Sequence, residues 1–298
     1  AISRYRGTHS QAPNFAYDLC VQKHQSDRSA LDLSCWQVAG NAAEPINPHV
    51  MERFAETFAP YGFHWHTFAP AYGLAEDTLL VSAKPHQNPP VFIHLDVAAL
   101  EKNRVAAKSP DRQGTRTYVS CGRPIGQTQV AIVNPETRTR CEPDEIGEIW
   151  VSDSSVARGY WKQPQVTGET FCAYLARLAN GPFLRTGDLG FIDAGELYVT
   201  GRLKDLIIIR GTNHHPQDLE WTVQQVHPEL RANCGVAFSI EVNREEKLAI
   251  VQEVERRAQT IDLEKTIVAI RQAIAEEHEL QTYAIALVKP GSLFKTSS

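Results

Sequence analysis

The sequence changes character at Gly201-Arg202-Leu203-Lys204-Asp205, and that change constrains what the chain can fold into. Before it, helical and strand-like patterns alternate, as in an α/β domain. After it comes a shorter unit of roughly a hundred residues, the usual size of one domain. We therefore expect two domains, residues 1-201 and 202-298, with this segment as the hinge between them. A chain of 298 residues with 42% hydrophobic and 22% charged residues can bury two cores without disulfide or metal staples.

Within the first domain, Asn14 to His24 reads as a helix opened by Asn14 after Pro13. Leu31 to Val38 reads as a buried strand that runs into a turn at Gly40-Asn41. Pro48 starts a helix with Val50, Phe54 and Phe58 on one stripe. His64 to Phe68 is strand-like and leads into a loop, Ala69 to Gly73. Between Lys84 and Thr117 the periodicity fades, and an irregular insertion or surface loop is expected. Strands follow at Gln129–Val133, Gly147–Val151 and Glu196–Thr200. In the second domain, strands are expected at Leu206–Arg210, Cys234–Ile240, Lys247–Val254 and Tyr283–Val288. One helix opens at His215-Pro216 with Leu219, Val223 and Val226 aligned. Another is capped by Asp262 and carries Leu263, Ile267, Ile270 and Ile274 on one face.

Composition excludes several classes. A net charge of −5 gives no global attraction to nucleic acid or to an anionic membrane. The longest aliphatic run, Leu206 to Ile209, falls far short of the roughly twenty residues of a membrane span. No signal peptide is visible, so a cytoplasmic setting is expected. The six cysteines form no C-x-x-C pair, and small buried thiols in a reducing compartment are the simplest reading.

Four segments set glycines beside charged groups: Gly40 to Pro45, Tyr72-Gly73-Leu74-Ala75-Glu76, Arg185-Thr186-Gly187-Asp188-Leu189-Gly190, and Gly201 to Asp218. All four are read as loops after strands, where ligands of open α/β sheets bind. Turn chemistry explains each one alone. Together, in this order, they resemble the core motifs of the adenylate-forming superfamily. Gly147-Glu148-Ile149-Trp150 with Arg158-Gly159-Tyr160-Trp161 is similar to another of its motifs. Ala12-Pro13-Asn14-Phe15-Ala16-Tyr17-Asp18-Leu19-Cys20, Leu31-Asp32-Leu33-Ser34 and Asn213 to Glu220 resemble fatty acyl-AMP ligases in particular. The Lys84–Thr117 stretch lies where that subfamily carries an insertion. The resemblance implies an α/β fold class: the latter part of the large adenylate-forming domain, with mixed sheets, helices and a β-rich subdomain, then a small α+β C-terminal domain.

It also implies a reaction. Such enzymes use ATP and Mg to convert a fatty acid to acyl-AMP with release of pyrophosphate. They then pass the acyl group to the thiol of an acyl carrier protein, often in lipid or polyketide pathways. The resemblance assigns Tyr72 to stacking on adenine, with Gly73 beside it, and the backbone around Ala43 and Glu44 to the adenine edge. A packed core tyrosine would look the same in sequence. It assigns Glu76 to Mg, a task suited to a hard oxygen ligand, although an exposed carboxylate would read alike. Asp188 would accept both ribose hydroxyls, as an acceptor-only group can, unless it is a turn aspartate. Arg202 would contact ribose or phosphate, unless it is a surface arginine. Lys204 falls at the hinge position, where a solvated lysine is equally compatible. The acyl pocket would draw on the region of His9, Phe15 and Tyr17, whose apolar members a core requires just as well.

The sequence departs from the pattern in places. Ala42 stands where the family's loop usually has glycine, so a methyl group could crowd the approach to adenine. The Ser/Thr/Gly-rich phosphate loop is expected upstream of Ala1, and the catalytic lysine in a Gly-Lys pair directly after Ser298. Lys295 belongs to the lead-in. Both ends therefore read as cuts within a longer enzyme. These 298 residues alone are expected not to form acyl-AMP, which hydroxylamine trapping would test. Two alternatives stay open: a synthetase that uses coenzyme A as acceptor, and a non-catalytic module that binds nucleotide or a carrier protein.

Overall fold

A computed structural model describes residues 1–22, 31–86, 88–176, 181–256 and 261–294. Expectations that fall on His24 and on Lys295–Ser298 lie outside the described residues. The chain divides into two compact units, Ala1–Thr200 and Gly201–Ser298.

The first unit is mixed α/β. Strands His9–Ala12, Val38–Asn41 and Phe68–Tyr72 run parallel, and Ser82–Ala83 and Arg123–Pro124 extend the same sheet antiparallel. Helices Asn14–Gln22 and Pro48–Phe58 contribute to its core, with Tyr17, Val50, Met51, Phe54 and Phe58 buried beside Ala39 and Phe68. Phe54 is the hub, meeting Tyr17 edge-on at 4.9 Å and Phe63 at 5.0 Å. Asn47 caps the second helix through His49 N–H and Val50 N–H.

A second sheet places Gln129–Val133, Gly147–Ser152, Leu184–Asp193 and Glu196–Arg202 side by side. The last two strands are joined by Ala194-Gly195, both at positive φ (49° and 83°), the pairing a two-residue hairpin demands.

The structure corrects several sequence expectations. Leu31 to Gln37 is not a strand. Leu33 and Trp36, three apart, close a turn through Trp36 N–H to Leu33 O at 2.9 Å and still reach the core. The strand begins at Val38, and Gly40-Asn41 form its end rather than a turn. The segment Ala69 to Tyr72 is strand, not loop. Phe68, Pro70 and Tyr72 point inward at period two, and a 3₁₀ turn, Trp65–Thr67, occupies the place expected for the strand. The Lys84–Thr117 stretch is not merely irregular. It carries the strand Phe92–Asp96, which pairs antiparallel with Thr115–Val119, and a short helix, Val97–Leu100. Buried Lys84 anchors its base by donating to the carbonyls of His66 and Pro85, both at 3.2 Å, and of Asn88. The Arg185–Gly190 motif also lies within a strand, Leu184–Asp193, at a register shift against its neighbour. Cys20 and Cys172 are exposed rather than buried, whereas burial pushes the Cys121 thiol up to about 12.

The second unit is α+β. Ile207–Ile209 pairs with Thr212–His214 across Arg210-Gly211. Leu230–Val242 pairs antiparallel with Glu245–Val254, and Thr282–Val288 lies parallel on its other side after the crossover helix Leu263–His278. That helix and Pro216–Gln225 bury Leu219, Val223, Ile270 and Ile274 with Leu248 and Ile250. Its inward stripe is Thr266, Ile270, Ile274 and His278, while Leu263 is exposed. Gly201 suits its position because a Cβ there would lie 2.6 Å from His215 Nδ1.

Candidate nucleotide site

The end of the strand Phe68–Tyr72 and the bulged strand Leu184–Asp193 meet in a polar contact. The Tyr72 hydroxyl donates to Asp188 Oδ2 at 2.7 Å, across 116 residues of sequence. Tyr72 is 8% exposed and Asp188 7%, so the pair is largely withdrawn from water. Burial, with the Asp188 charge next, holds the Tyr72 hydroxyl well above the ordinary tyrosine range, and it stays a neutral donor. Gly73, directly after the tyrosine, leaves no room for a side chain: a Cβ would sit 1.5 Å from Leu79 O.

Asp188 is aimed by its own segment. Thr186 Oγ1 donates to Ile149 O at 2.7 Å and accepts Asp188 N–H at 3.1 Å. Gly187, at φ 72°, donates its N–H to Glu148 Oε1 at 3.2 Å. Glu148 is 2% exposed, and its Oε2 accepts Arg185 Nη2 at 2.8 Å and Trp150 Nε1 at 2.9 Å.

Glu76 lies in the 3₁₀ turn Ala75–Asp77. Its Oε1 accepts the Tyr160 hydroxyl at 2.7 Å, and its carbonyl accepts Ala157 N–H at 2.8 Å. Among the described residues no group of three or more His, Cys, Asp and Glu gathers as a metal cage. A lone carboxylate of this kind fits a hard cation whose other ligands are phosphate and water oxygens, which is how magnesium is commonly bound. Neighbouring Asp77 is buried. Its Oδ1 accepts Ser155 Oγ at 2.8 Å, its Oδ2 finds no hydrogen-bond partner among the described residues, and burial raises the carboxyl above its ordinary value. A raised folded-state value gives stability that is fully present below pH 3.8 and is lost as pH climbs from there through the raised value. Asp77→Asn keeps an acceptor for Ser155 and removes the ionisation. We expect it to raise Tm at neutral pH, with the gain closing below pH 3.8. Thermal melts across pH check this, and a gain that persists in acid would refute it.

The remaining candidates are placed as follows. Ala43 takes φ 76°, so the left-handed conformation falls there and not at Ala42. Glu44 is exposed, and its Oε1 accepts Phe15 N–H at 3.0 Å. Of the expected acyl-pocket residues, His9 is exposed beside Thr8 and Phe15 is also exposed. Tyr17 is a core residue whose hydroxyl donates to Gly40 O at 2.8 Å. Arg202 and Lys204 belong to the second unit, both exposed, on either side of Leu203.

The profile of AMP-binding enzymes matches residues 1–161. The chain belongs to this family. The profile for the AMP domain of Disco-interacting protein 2-like proteins matches residues 204–298. Medium-chain-fatty-acid–[acyl-carrier-protein] ligase JamA of Moorena producens is 52% identical over 100% of this chain and 51% of its own length. The corresponding ligase TtuA of Teredinibacter turnerae is 35% identical, with 100% and 48% covered. The AMP-binding chain thus spans about half the length of the curated relatives it matches. A structure from work on fatty acyl-adenylate ligases of E. coli and L. pneumophila matches with a TM-score of 0.88 at 35% identity, covering 100% of this chain and 52% of that one. No helix among the described residues is long and apolar enough to cross a membrane.

Sequence reasoning missed the partners that hold these groups. Tyr160 was visible only as part of a turn, and Arg185 as a neighbour of the Thr-Gly-Asp motif. Their contacts with Glu76 and Glu148 span 84 and 37 residues, distances that no local pattern encodes.

Proposed function

We propose that this chain is the nucleotide-holding part of an ATP-dependent fatty acid ligase, with residues 1-201 in the activating domain and 202-298 in a mobile one. The observation that carries the reading is the buried Tyr72–Asp188 pair, formed in a chain 52% identical to a fatty acid–carrier protein ligase.

A carboxylate is a poor electrophile because its leaving group is poor. When a fatty acid oxygen attacks the α-phosphorus of ATP, the bond to the β-phosphate oxygen breaks and pyrophosphate departs. The acyl carbon then carries AMP. A thiolate of an acyl carrier protein's phosphopantetheine attacks that carbon, forms the thioester and releases AMP. Here the Tyr72 ring offers a face to adenine, and Gly73 and the backbone of Ala43 and Glu44 its edge contacts. Asp188 accepts the ribose hydroxyls as an acceptor-only group, and Arg202 meets ribose or phosphate with a fixed charge. Glu76 would hold Mg, which neutralises the phosphate charge that otherwise repels the incoming carboxylate. Lys204 is the pivot at which the second domain swings. His9 and Phe15 are the acyl-side candidates, with Tyr17 acting as the wall behind them.

The test is fatty-acid-dependent exchange of labelled pyrophosphate into ATP by the full-length protein. Absence of exchange at any chain length sinks the reading. A relative in Mycobacterium tuberculosis named putative fatty-acid–CoA ligase FadD21, 37% identical over 97% of this chain, supports coenzyme A as a second candidate acceptor. Offering carrier protein and coenzyme A together, and identifying the thioester, decides between them.

A further inference from the structure

Asn14 sits beside the loop that links the strand Val38–Asn41 to the helix Pro48–Phe58. In sequence it reads as a helix opener within the Ala12–Cys20 motif, but its side chain is 6% exposed and its side-chain hydrogen bonds among the described residues end on that loop or its flanks. Its Oδ1 accepts Asn41 Nδ2 at 3.0 Å and Asn47 N–H at 3.1 Å. Its Nδ2 donates to Pro45 O at 2.7 Å. The next residue adds a fourth tie, Phe15 N–H to Glu44 Oε1 at 3.0 Å. One amide thereby fixes the start, the far side and the end of a loop 27 to 33 residues away.

Between these ties lies Ala43, at φ 76°. An alanine in the left-handed region is strained and persists only where its surroundings over-determine it. The Asn14 amide supplies that constraint on both sides, at Asn41 before it and at Pro45 and Asn47 after it, and the Glu44 carboxylate adds a further tie after it. Ala43, Glu44 and Pro45 are exposed, so burial of their own side chains does not hold the strained stretch in place. A helix opener needs none of these bonds.

We propose that Asn14 is a positioning residue that sets the shape of the Asn41–Asn47 loop and thereby its discrimination of the nucleotide base. The inference rests on the reading above that this loop meets the adenine edge. A side chain that only stabilised the fold would weaken all nucleotides alike. One that shapes a base-reading loop changes the preference among bases.

The experiment measures ATP and GTP affinity by calorimetry, and amide exchange over residues 42–46, in the full-length protein. Asn14→Ala is expected to lower the ATP-over-GTP preference about tenfold and to speed exchange in the loop, since each lost bond is worth roughly one power of ten or less. Asn14→Asp keeps the Oδ1 acceptor and loses the Pro45 tie, so it should fall between Asn14→Ala and the parent protein. If Asn14→Ala fails to fold, Glu44→Ala at the exposed tie should lower the preference about threefold. An unchanged preference in the folded variants, unchanged exchange, or a parent protein that binds neither nucleotide overturns the inference. A parent that binds ATP selectively yet makes no acyl-AMP refutes the proposed reaction and leaves the role of Asn14 standing.

Discussion

Replacing Asp188 by asparagine is expected to lower kcat/KM for ATP by roughly 100- to 1000-fold while leaving Tm within about 2 °C of the parent. The two halves of this expectation have separate causes. The fold is spared because asparagine retains a carbonyl oxygen to accept the Tyr72 hydroxyl, so no buried donor is orphaned. Activity falls because the site loses an acceptor-only anion. In the proposed reading two ribose hydroxyls donate to this group, and one amide cannot accept from both while its NH₂ points at one of them. Hydrogen bonds to a charged group contribute about 1.5–3 kcal/mol each, so losing one to two of them spans the stated range. Pyrophosphate exchange at varied ATP measures it. A fall below threefold would show that Asp188 does not touch the nucleotide. Asp188→Ala separates the two roles, since it also strands the Tyr72 hydroxyl and should cost about 1–3 kcal/mol of stability on top of the activity.

The pair that makes this test possible was half legible in the sequence. Tyr72 and Asp188 each stood in a recognisable motif, and so did Glu76, Arg202 and Lys204. Their motif positions gave chemistry, but no distance. What the motifs could not show was the backbone underneath. Arg185 to Gly190 looks like a glycine-rich loop, yet it is a bulged strand, because Leu184, Leu189 and Phe191 bury themselves on one sheet while Gly187 takes the positive φ of the bulge. Ala69 to Tyr72 looked like a loop for a similar reason: Pro70 reads as a breaker, although a strand tolerates a missing N–H where the carbonyl still pairs, here with Lys84 N–H at 3.0 Å. Where the apolar stripe is clean, as in Pro48–Phe58, the start of the helix and its inward face were legible. The helix Leu263–His278 was placed correctly but turned, since Thr266 and His278 pack inward and hydrophobicity alone nominates Leu263. The strained position at Ala43 was not legible: the sequence pointed only to the methyl group of Ala42, and φ is set by the ties around the loop and not by residue type.

Removing the Glu148 carboxylate should produce the largest loss of stability in the first unit. Four N–H groups converge on it: Nε and Nη2 of Arg185, Trp150 Nε1 and Gly187 N–H. The Arg185 guanidinium also lies over the Trp150 ring, 5.6 Å from its centroid. Glu148→Ala leaves a partly buried guanidinium uncompensated and two further donors unpaired, a change that costs about 3–5 kcal/mol where one partner of a buried pair is deleted. For a protein of this size that corresponds to a Tm loss on the order of 10 °C. Desolvation of both ions offsets much of their attraction, so the pair as a whole contributes far less than its deletion suggests. The double substitution Glu148→Leu with Arg185→Leu should therefore be milder than Glu148→Ala alone, a non-additivity that urea unfolding of the single and double variants measures directly. Because Gly187 N–H is one of the four donors and precedes Asp188, even the milder variant should loosen Asp188 and, in the proposed reading, raise KM for ATP. If Glu148→Ala costs less than about 1 kcal/mol, or if the double variant is worse than the single, the carboxylate is not what fixes the bulge, and the aim of Asp188 must come from Thr186 alone.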